Sequence, residues 1–82
     1  MKNPKQENVR LASNRVYFAT LDGRTGWKVT KDTVTSTQVR LWGNPEVMLQ
    51  GLLQAKERIE ELGVTILGKK EEDGLVIEVS AK

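Results

Sequence analysis

The side chains that most often carry catalysis are missing or scattered in this chain. It has no cysteine and no histidine. That removes thiol nucleophiles, disulfides, thiolate zinc sites and the commonest general base in one stroke. Acid–base chemistry would then need paired carboxylates in a cleft. The carboxylates instead read as a solvated helix face (Glu57, Glu60, Glu61), a polar turn (Glu71, Glu72, Asp73) and scattered Asp22, Asp32 and Glu46. Glu71-Glu72-Asp73 lacks the alternate ligand spacing of a calcium loop, and Lys69-Lys70 beside it opposes a cation. Gly23-Arg24-Thr25-Gly26 could let backbone approach a phosphate, yet it lies between strands and not ahead of a helix, so it reads as a hairpin turn. No enzyme, no cofactor and no metal is expected.

Binding chemistry is better represented. The run Arg15–Leu21 is rich in β-formers, and Trp27–Lys31 and Thr35–Trp42 alternate in polarity, as half-buried strands do. If Val16, Phe18, Trp27, Val29, Val39 and Leu41 face a core, alternation sends Arg15, Tyr17, Lys28, Thr30, Gln38, Arg40 and Trp42 to the other face. That face would join two aromatics to three cations. Aromatics stack on unpaired bases and cations follow phosphates, the combination used by sheets that bind single-stranded nucleic acid. Arg15, Tyr17, Lys28, Arg40 and Trp42 are therefore the candidate site, with Arg24, Lys69 and Lys70 as secondary candidates in loops. The alternative is a protein-interaction or homodimer surface anchored by Tyr17 and Trp42, or a plain solvated sheet.

Asn44-Pro45 marks a helix start, an N-cap followed by proline in the first turn. Met48, Leu52, Ala55, Ile59 and Leu62 recur at steps of four and three, a buried helical stripe. Gly63 supplies a left-handed end. Lys56 and Glu60 form an i,i+4 pair. Gly51 costs about 1 kcal/mol relative to alanine within a helix, so it signals close packing, either on the sheet near Trp27 or against a partner helix. Val64–Leu67 reads as a fourth strand, 68–74 as a polar loop and Leu75–Val79 as a fifth strand. The expected fold is α+β: an antiparallel sheet in the order β-β-β-α-β-β with one helix packed on one face. Residues 1–9 read as a flexible N-terminal tail, and 10–82 as a single domain.

Gly26-Trp27-x-Val29 in the second strand, a helix containing Ala55 and a closing hairpin with Asp73-Gly74 resemble DUF2188, a family of small bacterial proteins of unknown function. The likeness covers roughly residues 15–79. It implies the order of elements and no activity.

The net charge is +2 over 82 residues, too small to imply a polyanionic partner by itself. Its distribution is uneven: residues 1–43 hold eight Lys/Arg and three Asp/Glu, a net +5, and residues 44–82 hold five and eight, a net −3. Two such halves can bind ligands of opposite sign or attract each other between subunits. No apolar run approaches the roughly 20 residues of a membrane span. The polar start, Met1-Lys2-Asn3-Pro4-Lys5, has no apolar core of a signal peptide. A cytoplasmic protein of bacterial or phage origin, without a membrane partner, is the expectation.

Overall fold

A computed structural model describes residues 4–20 and 26–82. These residues form helix α1 (Pro4–Thr20), strands β1 (Gly26–Asp32) and β2 (Ser36–Trp42), helix α2 (Pro45–Glu60), and strands β3 (Val64–Glu71) and β4 (Gly74–Ala81). The chain is α+β, and its sheet is antiparallel in the order β1-β2-β4-β3.

The largest departure from the sequence reading is α1. Residues 15–20 were expected in a first strand, and residues 4–9 in a tail; both lie in one 17-residue helix. The reason is visible in its buried face. Val9, Ala12, Ser13, Val16 and Thr20 follow helical spacing and are 0–5% exposed. Two of these five are hydroxyl residues, which blur the apolar period. Each hydroxyl is satisfied by a carbonyl one turn back, Ser13 Oγ on Val9 O at 2.8 Å and Thr20 Oγ1 on Val16 O at 3.0 Å. A buried hydroxyl with such a partner costs little. Local β-preference in Val16-Tyr17-Phe18 thus loses to tertiary packing.

α2 follows expectation closely. The Asn44 side chain accepts hydrogen bonds from the backbone N–H groups of Glu46 and Val47, at 3.0 and 3.3 Å. Met48, Leu52 and Ile59 are buried, and Gly63 closes the turn at φ +87°. Gly51 answers the question its presence raised. A Cβ there would lie 2.2 Å from the carbonyl oxygen of Ala19. The close neighbour is α1 of the same chain, and not the sheet near Trp27. Ala19 beside Gly51 and Asn8 beside Gly63 make the two helices antiparallel.

Both helices lie on the same face of the sheet. Val9, Ala12 and Val16 of α1 and Met48, Leu52 and Ile59 of α2 share one core with Val39, Leu41, Val64, Ile66, Leu75, Ile77 and Val79. The expected single covering helix is therefore a helical layer of two. The stretch 68–71, expected in a loop, continues β3 as a charged edge strand, and only Glu72 and Asp73 form the turn to β4. Charged residues are a normal way to finish a sheet edge. No helix among the described residues is long and apolar enough to cross a membrane.

Candidate functional site

The face of the sheet away from the helices is built by alternation. In β2, Thr37, Val39 and Leu41 are buried while Gln38, Arg40 and Trp42 stay partly exposed. In β4, Leu75, Ile77 and Val79 are buried and Val76, Glu78 and Ser80 are not. Register then sets neighbours across strands. Lys28 lies opposite Arg40, Arg40 opposite Val76, and Val76 opposite Lys69. One row across the sheet therefore reads Lys28, Arg40, Val76, Lys69. With strands about 4.8 Å apart, its outer members stand roughly 14 Å from each other.

The rows on either side differ in character. One reads Gly26, Trp42, Gly74, Glu71, and the other Lys31, Gln38, Glu78, Leu67. Trp42 lies across the glycine of β1: a Cβ on Gly26 would meet its Cε3 at 3.4 Å. The Arg40 Cζ stands 5.3 Å from the centroid of the Trp42 ring, within cation–π range. Arg40 Nη2 also donates to Asp73 Oδ1 at 3.0 Å. Asp73 is more than half exposed, so this pair is worth at most about 1 kcal/mol and can be exchanged for another anion. Leu67, 63% exposed, borders the row. A shallow depression of about 220 Å³ lies between Gln38, Leu67, Lys69, Val76 and Glu78.

Of the residues proposed from sequence, Lys28, Arg40 and Trp42 come together on this face. Lys69 joins them, from a strand and not a loop. Lys70 points the other way, by alternation, and its Nζ donates to Glu46 Oε1 in the first turn of α2. It ties β3 to the helical layer. Arg15 and Tyr17 are not on the sheet at all, because their segment is helical. Tyr17 packs edge-on against Trp27, ring centroids 4.7 Å apart, at the border of the core. Arg15 faces the groove between α1 and α2. Phe18, expected in the core, is 70% exposed. Arg24 and the Gly23–Gly26 turn fall on or next to residues 21–25, which lie outside the described residues. Sequence reasoning missed Val76, Glu78 and Leu67 as members of the face. The alternation in β4 carried that signal for the first two.

Among the described residues no group of three acidic side chains comes together to hold a metal ion. Among the described residues the Glu60 carboxyl is held below its ordinary value, lowered first by the N–H of Ile66, which donates to it at 3.1 Å, and then by Lys56. That bond lies at the outer edge of β3, away from the cation row. Comparison of the chain with protein-family models, with curated proteins and with solved structures finds no match.

Proposed function

We propose that this protein is a non-enzymatic binding module that takes a short stretch of single-stranded nucleic acid across its open sheet face. The observation that carries this reading is the row Lys28–Arg40–Lys69 flanked by Trp42. Three cations in line across a twisted sheet suit consecutive phosphates of an extended strand, and the tryptophan beside them offers a surface for one base. Glu71 and Glu78 in the adjoining rows limit the cationic strip on the β3 and β4 side, while Lys31 extends it by one residue at the β1 edge. Affinity is accordingly modest and strongly salt-dependent. Three phosphate contacts predict a slope of log affinity against log salt of about −2, since each contributes roughly 0.7 on a single strand.

The test is a titration of labelled oligothymidine at several salt concentrations. Lys28→Ala and Lys69→Ala should each weaken binding and make the slope shallower by about 0.7. Trp42→Ala should weaken it by about 1–3 kcal/mol with the slope unchanged. A slope near zero, or binding indifferent to all three substitutions, contradicts the reading.

A protein interface on the same face is favoured by one separate observation, the exposed Leu67 beside Val76. Its signature is different. A wild-type dimer in sedimentation that Leu67→Ser dissociates, with no oligonucleotide bound at physiological salt, selects this second reading.

A further inference from the structure

The outer surface of the helical layer carries apolar side chains that the core does not use. Leu11, Arg15 and Phe18 recur at steps of four and three, which puts them on one stripe of α1, beside the buried one. Leu11 is 43% and Phe18 is 70% exposed. Next to this stripe runs a groove of about 370 Å³ between α1 and α2, lined by Arg15, Phe18, Ala55, Arg58 and Ile59. Its floor is apolar, and its walls carry two guanidinium groups. Among the described residues neither Arg15 nor Arg58 is paired with a carboxylate.

We infer that this groove docks an amphipathic helical segment of a partner protein, apolar toward Phe18, Ala55 and Ile59 and carrying carboxylates that meet Arg15 and Arg58. The seam between two antiparallel helices accepts a third helix at the usual interaxial distance of about 8–10 Å. The stripe from Leu11 to Phe18 runs about 10 Å along α1, so the docked segment needs about two turns. An exposed aromatic sharing a groove with two arginines over an apolar floor has the composition of an interface anchor. Charge complementarity selects the occupant. A second copy of this chain seated groove on groove about a two-fold axis would bring Arg15 and Arg58 of both subunits together, four like charges around a drying contact. A partner with acidic residues neutralises them. The groove is on the opposite side of the molecule from the cation row, so the two surfaces can be tested separately.

The probe is a synthetic helical peptide of about four turns, with leucines along one face and glutamates flanking them. A control carries lysine at each glutamate. Fluorescence anisotropy should show the acidic peptide bound and the basic one not. Phe18→Ala should weaken binding about tenfold and, because the ring is exposed, leave the thermal midpoint in place. The double variant Arg15→Glu, Arg58→Glu should switch preference to the basic peptide. Equal binding of the two peptides, binding of neither, or a wild-type dimer that Phe18→Ala dissociates would overturn the proposal.

Discussion

At Gly51 a methyl group would sit 2.2 Å from the carbonyl oxygen of Ala19. Within an isolated helix, glycine to alanine is favourable by about 1 kcal/mol. Here the added carbon meets backbone and not a pliable side chain, so α1 must move away from α2. Gly51→Ala is therefore expected to destabilise by about 1–3 kcal/mol, as overpacking commonly does. A urea titration that finds it stabilising would show that the helices do not cross so closely. Trp27 is a milder case. It packs on the core from the edge strand and meets Tyr17 edge-on, but it is only half-buried. Trp27→Ala should cost about 2–3 kcal/mol, below the 3–5 usual for a fully buried large aromatic. An unchanged thermal midpoint would place the ring outside the packed region. Both positions stood out in the sequence, one as a glycine in a helix and the other by alternation with Val29. What the sequence left open at Gly51 was the identity of the neighbour, since a steric requirement does not name the group that imposes it.

Among the elements, α2, β1, β2 and β4 were legible because cap chemistry and clean alternation act locally. Asn44-Pro45, the stripe from Met48 to Ile59, and Val39-x-Leu41 each carry their own signal. α1 was not legible, because Ser13 and Thr20 occupy two of its buried positions and a β-branched and aromatic run occupies its last turns. Its contribution to the core gives a direct check. Val9, Ala12 and Val16 are 0–1% exposed, so a chain beginning at residue 21 should lose its cooperative thermal transition and much of its circular dichroism. Retention of a wild-type melt would return this segment to the status of a tail. The edges of the sheet were equally hidden. β1 breaks register between Val29 and Lys31. On β3 the outward N–H of Ile66 donates to the Glu60 carboxylate. Both devices interrupt an edge that could otherwise pair with another chain. The Glu60 carboxyl is held below its ordinary 4.5, first by that N–H and then by Lys56, against the opposing effect of burial. A depressed folded value means the charged form favours the fold. The contribution is complete above about pH 4.5 and is lost as pH falls through the lowered value. Glu60→Gln keeps an acceptor for Ile66 and removes the titration. Its urea midpoint should fall less than that of the wild type on acidification, and parallel curves would contradict the assignment.

Both helices lie on one side of the sheet, among the described residues no element covers the other, and each side has its own chemistry. The open face holds Lys28, Arg40, Lys69 and Trp42; the helical layer holds a groove lined by Phe18, Arg15 and Arg58. The sequence could divide the strand residues between faces, and did so correctly for Lys28, Arg40 and Trp42. It could not bring Lys69 beside Arg40, because that neighbourhood depends on β4 pairing with both β2 and β3. Arg15 and Tyr17 lie away from this face, because the β-branched and aromatic run that reads as a strand is the end of α1. We propose that the open face, and not the helical layer, meets nucleic acid. A chemical-shift map by NMR with a short oligothymidine distinguishes the two surfaces residue by residue. The amide and side-chain signals of Lys28, Arg40, Trp42, Val76 and Lys69 are expected to move together, and those of Arg15, Phe18 and Arg58 to stay still. Shifts confined to α1 and α2, or none at saturating oligonucleotide in low salt, would contradict it.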